Sequence, residues 1–445
     1  RHPSCNATHT AKPACRGMPF RLLHTADWHL GRIFFNVSLL EDQAHALDQL
    51  LDIARDTRAD ALIIAGDVYD RAVPPADAVR LLDETLKRIA LDLQLAVVLI
   101  AGNHDSAERL GFGAALMEER RCFLRGPLGA HTRPIEIAGR AGSARFHPLP
   151  YAEPAEVREH LGETVREHLE ETVREHLEET VREHLEETVR EHLGEPDLHS
   201  HDAALGALVR RLGTLPDDVP NIAVGHCFVT GGAVSDSERP LSVGGAGQVT
   251  AAHFAPFDYT ALGHLHRPQA VAERVHYSGS LLKYSFSEAT HTKSVSLVEL
   301  DDDGARIERI PLTPRRDLRI VEGHLGDLLR GPAAGEHADD YLLFRLLDTG
   351  ALLDPMGRLR EVYPNALHLE RPSLTTGGDG RGPSPEQIAR GEEDLFADFF
   401  REVTGDALTP EQQAVLHEVL AGLRRQEREA AVPPADRSGA PGADA

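Results

Sequence analysis

The first hundred residues alternate short, almost wholly apolar runs with longer amphipathic stretches. The run Phe20-Arg-Leu-Leu-His leads into Thr25-Ala-Asp-Trp-His-Leu-Gly, and ADALIIAGDVYD (59–70) and LAVVLIAGNHD (95–105) repeat the theme of a strand that stops abruptly at polar residues. Helical spacing of apolar positions occupies PPADAVRLLDETLKRIA (74–90) and SAERLGFGAALMEERR (106–121). Apolar strands separated by helical patterns predict a largely parallel, doubly wound sheet. Further along, PNIAVGHCF (220–228) and FDYTALGHLH (257–266) are two more strands with the same kind of ending. In such sheets the functional site gathers at the carboxyl ends of the strands.

Those ends read Asp27-x-His29, Gly66-Asp67, Gly102-Asn103-His104-Asp105, Gly225-His226 and Gly263-His264-Leu265-His266. Alternate side chains of an extended segment point the same way, so Asp27 and His29 reach into one space. A single Asp or Asn after a strand is most often a helix cap or turn former, and a single His a satisfied polar contact. Five strand ends carrying such groups together read instead as one metal site. The seven groups Asp27, His29, Asp67, Asn103, His226, His264 and His266 make eight bonds if Asp67 bridges, four for each of two ions. Oxygen and imidazole donors without thiolate suit manganese, iron or zinc, and four imidazoles argue against an all-magnesium site.

Composition narrows the class. A chain of 445 residues is too long for one compact core, and 41% hydrophobic with 27% charged residues is ordinary for a globular protein of two or more domains. No apolar run approaches the roughly 20 residues needed to span a bilayer, so no membrane role is expected. Residues 1–17 lack the apolar core of a signal peptide and read as an unstructured leader. Cys5, Cys15, Cys122 and Cys227 show no C-x-x-C spacing, so the expectation is no disulfide framework, no zinc-thiolate site and a reducing, cytoplasmic setting. The formal charge of −24 excludes coating of nucleic acid by bulk positive charge; a polyanion must be gripped locally, for example by bound cations.

About a third of that charge is local, because residues 157–195 hold 5 Arg and 13 Glu, a net of −8. Residues 157–193 are five near-identical copies of VREHLEET. Val and Leu alternate every four residues, which at about 100° per residue winds the apolar position around a helix by about 40° per step. That drift excludes a heptad seam, while Arg174 between Glu170 and Glu178 typifies the favourable pairs of a solvated insertion helix. Its five histidines recur eight apart and make no chelating pair.

Taken in order, D-x-H, G-D-x-x-D, G-N-H-D, G-H and G-H-x-H resemble the calcineurin-like metallophosphoesterases. Within that superfamily, SDSERPLSVGG (235–245), FDYTALGHLHRPQ (257–269), YSGSLLKYSFSEA (277–289) and YPNALHLERP (363–372) resemble the SbcD family of bacterial nuclease subunits. The likeness runs from about Met18 to Pro372, broken by the repeat, and continues weakly into the tail. It implies an α/β metallophosphoesterase sandwich, with two central β-sheets flanked by helices, followed by a small α+β second domain and a helical tail. The expected boundaries are a leader at 1–17, the nuclease domain at 18–313 with the repeat inserted at 157–193, and the α+β domain at 314–373. A linker at 374–384, a partner-binding helical tail at 385–430 and a disordered end at 431–445 complete the chain.

The resemblance further implies a phosphodiesterase that acts on DNA in repair and recombination. It would degrade double-stranded ends exonucleolytically, with ATP supplied through an SbcC-type coiled-coil ATPase, and cut single strands or hairpins endonucleolytically. Manganese is the usual activator of the two-ion site. One ion would take Asp27, His29, Asp67 and His266, and the other Asp67, Asn103, His226 and His264. His104 would face the scissile phosphate, and Asp70 would be the carboxylate paired with it. Members of the family generally dimerise through the helices after the second and third motifs, where Val79, Leu82, Leu86 and Leu116 could face such a partner or equally the sheet. Arg71, Arg109, Arg267 and Lys283 lie near the motifs as candidate phosphate contacts, and Leu395, Phe396, Phe399 and Phe400 form an apolar stripe that would either pack back on the second domain or, the favoured reading, dock onto the ATPase. A small-molecule phosphoesterase would not need the second domain, and a non-catalytic scaffold would not keep the whole donor set.

Overall fold

The computed structural model describes residues 19–129, 133–140, 142–162, 198–238, 247–372, 396–397, 400–401 and 406–430. The expected leader, most of the repeat, the linker, the chain end, and Leu395 and Phe399 lie outside the described residues. The chain packs as two compact units that divide between Leu318 and Arg319.

In the first unit the main strands are β1 (Phe20–Thr25), β2 (Ala61–Ala65), β3 (Ala96–Ile100), β4 (Cys122–Arg125), β5 (Ile135–Ala138) and β6 (Ser143–Leu149). They continue with β7 (Asn221–His226), β8 (Tyr259–Gly263), β9 (Gln269–Ala272), β10 (Val275–Tyr277), β11 (Ser294–Asp301) and β12 (Gly304–Pro311). The principal helices are α1 (Leu40–Thr57), α2 (Ala76–Lys87) and α3 (His201–Arg211). One six-stranded sheet has the order β12-β11-β1-β2-β3-β4, the other β9-β10-β8-β7-β6-β5. Strands β1 to β4 are mutually parallel, and β11 closes the edge of β1 antiparallel to it. In the second sheet β6, β7, β8 and β10 are parallel. Every residue of β2 and β3 is buried, as expected of aliphatic strands covered on both faces.

The two sheets face each other across an apolar layer in which Leu22, Ile63 and Val98 meet Phe146, Ile222 and Tyr259. On its far side the second sheet packs Ala223, Leu262 and Tyr277 with Val209 of α3 and Phe254. The layer vanishes at the carboxyl ends of the strands. A Cβ on Gly263 would stand 1.9 Å from the Ala65 carbonyl oxygen, and one on Gly66 (φ +85°) would stand 2.3 Å from His226 Nδ1. Only glycine lets the main chains of the two sheets touch there.

Two local expectations change. The helix expected over 106–121 breaks into Ala107–Leu110 and Ala114–Glu118, because Gly111 and Gly113 (φ +74°) interrupt it. The described root of the repeat insertion, 154–162, is helical, yet its Val157 is buried and lines one small pocket with Leu149, Tyr151 and His226. The insertion is therefore not solvated from its first turn; it is pinned to the domain by its first valine.

The second unit holds β13 (Leu318–Gly323), β14 (Tyr341–Leu346), α4 (Pro355–Val362) and β15 (Ala366–Glu370), with sheet order β13-β14-β15. Leu342, Phe344, Leu359 and Tyr363 form its core. Asp354 caps α4 ahead of Pro355. A later helix, α5 (Pro410–Ala430), starts at Thr409, whose Oγ1 accepts the Gln412 N–H at 3.3 Å.

Replacing Gly263 by Ala is expected to destabilise the protein by about 3 kcal/mol, the upper end of ordinary overpacking, because the obstacle is a carbonyl of the opposite sheet. Denaturant unfolding of metal-free protein checks this; an unchanged midpoint would refute the close approach.

Candidate metal centre

The strand ends are held in backbone conformations that L-residues disfavour. Asp27, His29, Asp67 and His264 have φ of +53°, +46°, +49° and +107°. Such conformations cost on the order of 1 kcal/mol or more each and persist where surrounding bonds over-determine them. Here the Asp27 N–H donates to Gly66 O at 3.1 Å and the His29 N–H to Asp67 O at 3.0 Å. Across the sheets, the His264 N–H donates to Asp27 Oδ1 at 2.9 Å. The His104 N–H donates to Asp67 Oδ1 at 2.8 Å. Asp105 ties the second and third loops together by accepting the N–H groups of Val68, Tyr69 and Gly102 at 2.9–3.1 Å.

All seven donors converge. Ligand atoms of Asp27, His29 and His266 cluster within 4.8 Å, as do those of Asp27, Asp67 and His226 and those of His29, Asp70 and His104. Asn103 Oδ1 joins them, 2.9 Å from His226 Nε2 and 3.2 Å from His264 Nδ1. His29 Nε2 and His266 Nε2 are 3.1 Å apart. Asp27, His29, Asp67, His226, His264 and His266 are all buried.

The hydrogen bonding shows what this cavity wants. His226 Nδ1 donates to Ala65 O at 2.9 Å, so Nε2 turns its lone pair toward Asn103 Oδ1 and toward Asp67 Oδ2 at 3.5 Å. Three acceptors face one another, an arrangement that needs a proton or a cation between them. Burial alone would lower the His226 pKa, yet Asp67 and Asp27 push it up to about 9. For Asp67 burial also works in the opposite direction, and the imidazoles of His226, His29 and His104 hold it well below the usual carboxylate range. Burial raises Asp27 to about 6 and drives His264 down to about 3, leaving a neutral imidazole. Buried carboxylates with neutral imidazoles and an amide oxygen fit divalent cations.

His104 and Asp70 lie at the rim of this cluster. His104 is buried; its Nδ1 bonds the main-chain carbonyl of Asp70 at 2.9 Å and its Nε2 lies 3.9 Å from Asp67 Oδ2. The Asp70 carboxylate accepts from Arg32 Nη1 at 2.9 Å and stands 3.7 Å from His29 Nδ1. Of the candidate phosphate contacts, Lys283 bonds Asp317 at 2.8 Å and the Ala289 carbonyl at 2.7 Å, and Arg109 bonds the Ala72 carbonyl at 2.8 Å. Residues not anticipated from sequence include Arg32, which also lies over the Tyr284 ring at 5.2 Å, and Glu238, which accepts the His266 N–H at 2.7 Å. Glu238 falls in the SDSER segment, where only family likeness singles it out.

Two facing sheets whose strand ends deliver Asp, Asn and His to one buried centre define a metallophosphoesterase. The calcineurin-like phosphoesterase family model matches residues 20–268, and the type 5 capsule protein repressor C-terminal domain model matches residues 314–404. The SbcD component of the SbcCD nuclease of Staphylococcus saprophyticus is 32% identical over 405 residues, covering 91% of this chain and 98% of that protein. The chain therefore belongs to the calcineurin-like phosphoesterases and, among them, to the SbcD family. A dimetal phosphatase from Danio rerio also matches, with a TM-score of 0.36 and 14% identity over 66% of this chain and 100% of its own.

The raised His226 pKa makes a pH-dependent prediction. In metal-free protein the folded state keeps this proton up to about pH 9, whereas the unfolded chain releases it near 6.5. The stabilisation is complete below pH 6.5 and disappears as pH rises through 9, so unfolding free energy should fall by up to about 3 kcal/mol across that window. Urea titrations across the window check this. His226→Ala should lack the slope, and manganese, replacing the proton, should flatten it.

Proposed function

We propose that the chain is the nuclease subunit of an SbcCD-type complex, hydrolysing phosphodiester bonds of DNA with two divalent ions, manganese being the activating one. The observation that carries this reading is the convergence of seven donors from five strand ends on one buried centre. The relative's name, extending over nearly its whole length, supports DNA as substrate. The proposed activities are exonucleolytic on double-stranded ends, ATP-dependent with an SbcC-type coiled-coil ATPase, and endonucleolytic on single strands or hairpins. The setting is cytoplasmic, consistent with free, buried Cys122 and Cys227; among the described residues no helix is long and apolar enough to cross a membrane.

Asp27, His29, Asp67, His266, Asn103, His226 and His264 would hold two divalent cations, which would supply Lewis acidity and neutralise phosphate charge. This compensates for a net charge of −24 that would otherwise repel DNA. His104, held at Nδ1 by the Asp70 carbonyl, gives its Nε2 proton to the leaving sugar oxygen. Asp70 supports His104 through that main-chain carbonyl, while its carboxylate, the group expected to pair with His104, accepts from Arg32. A homodimer would use apolar side chains left exposed after the second and third motifs, among them Val79, Phe112 and Leu116, while Leu82 and Leu86 are buried. In the second unit Phe396, Phe400, Leu408, Val415 and Val419 line an apolar groove of about 470 Å³, the proposed seat of the ATPase coiled coil.

The deciding experiment is manganese-dependent release of nucleotides from linear duplex DNA, with and without the ATPase partner and ATP. Hydrolysis of small diesters but never of DNA would overturn the reading. Ending the chain near Pro372 should preserve cutting of single-stranded DNA, since every donor lies upstream, and abolish ATP-stimulated duplex degradation. A truncated chain that still binds the ATPase at full affinity would refute the groove assignment. His104→Gln should lower single-turnover cleavage by about 10²–10⁴-fold with metal content unchanged. Loss of an ion from that variant would make His104 a ligand instead.

A further inference from the structure

Behind His266, away from the seven donors, lies a buried polar chain. Ser237 Oγ is 2.6 Å from His266 Nδ1, and the same hydroxyl bonds Glu288 Oε1. Glu288 is fully buried; its Oε2 pairs with the buried Lys293 at 2.5 Å, and Ser285 donates to its Oε1 at 3.1 Å. Lys293 also donates to the His266 carbonyl at 2.7 Å and to Ser280 Oγ at 2.8 Å.

We propose that Ser237 is a positioning residue that fixes the tautomer and orientation of His266, bridging its imidazole to the buried Glu288 carboxylate. The role rests on the metal-centre reading given above. The direction of each bond follows from what each group can do. A carboxylate paired with an ammonium only accepts, and a hydroxyl has one hydrogen. That hydrogen therefore goes to Glu288, and Ser237 Oγ must accept from His266 Nδ1–H. His266 is thereby left with a bare Nε2, the atom that faces His29 Nε2 at 3.1 Å inside the centre. Glu288 itself stands 3.5 Å from Nδ1, beyond a good hydrogen bond, so the hydroxyl completes the link. The main chain of His266 is held independently by Glu238 at its N–H and Lys293 at its carbonyl, which leaves the ring nitrogen as the particular task of Ser237. A carboxylate behind a ligating imidazole raises its basicity and stops its rotation, and removing such a partner typically costs 10–100-fold in metal affinity.

The test uses the full chain. Ser237 is altered rather than Glu288, whose loss would strand Lys293 as an unpaired buried charge. Manganese titrations followed by electron paramagnetic resonance of the free ion should show Ser237→Ala binding one ion about 10–100-fold more weakly. Ser237→Thr, which keeps the hydroxyl, should restore affinity to within about threefold, with the metal-free unfolding midpoint of both variants near wild type. Nitrogen-15 histidine spectra of metal-free protein should show the Nδ1–H form at His266 in the wild type and a mixture in Ser237→Ala. Wild-type affinity in Ser237→Ala, or equal losses in both variants with a lowered midpoint, would overturn the positioning role. If the wild type itself binds no manganese, the metal centre fails first, and this role with it.

Discussion

The structure depends on the place where two β-sheets come into main-chain contact. Over most of their area β1, β2 and β3 are separated from β7 and β8 by an apolar layer, but Gly263 abuts the Ala65 carbonyl and the His264 N–H crosses to the Asp27 carboxylate. A side chain at either glycine would open the gap and pull apart groups that belong to different sheets. The left-handed conformations of Asp27, His29, Asp67 and His264 are tolerated because this contact and the bonds around it leave the chain no alternative. Binding geometry is thus maintained by packing elsewhere, at some expense to local comfort.

The same closure sets the electrostatics. Acceptors that would each be hydrated on an open surface are buried against one another, so burial pulls His264 down while carboxylates pull His226 up. Opposite shifts on neighbouring imidazoles arise because His226 faces Asp67 while His264 lies beside the charge of His226. The outcome is a cavity with a standing demand for positive charge, met by a proton on His226 in the metal-free state.

Much of this is legible in the sequence, for a physical reason. Strands covered on both faces are apolar throughout, so the polar residues that end them are conspicuous, and all seven donors lie there. Parallel order follows from the same runs, whereas the second, facing sheet is legible only through the family resemblance. Less legible are features that depend on distant neighbours. The Asp70 carboxylate could serve several partners within reach, and only the fold shows it turned to Arg32 while its carbonyl meets His104. Ser237, Glu288 and Lys293 sit in segments with no periodic signal, and their partnership is made by tertiary structure alone. Val157 reads as one more valine in a drifting pattern, though it is the one that finds a pocket. The break at Gly111 and Gly113 is visible in composition but outweighed by the helical spacing around it.

The cross-sheet bond from His264 to Asp27 spans 237 residues, and the one from His226 to Ala65 spans 161. Even β1 lacks its edge neighbour until β11 exists, since Leu23 pairs with Leu297. During synthesis at roughly 5–20 residues per second, Asp27 and His29 therefore wait on the order of ten seconds or longer for the groups that complete their surroundings. An emerging chain offers only a partial cluster of carboxylates and imidazoles, without the closed cavity that makes the centre selective. The identity of the ion is consequently decided only once β11 and the second sheet are in place, by whatever cations surround the finished domain.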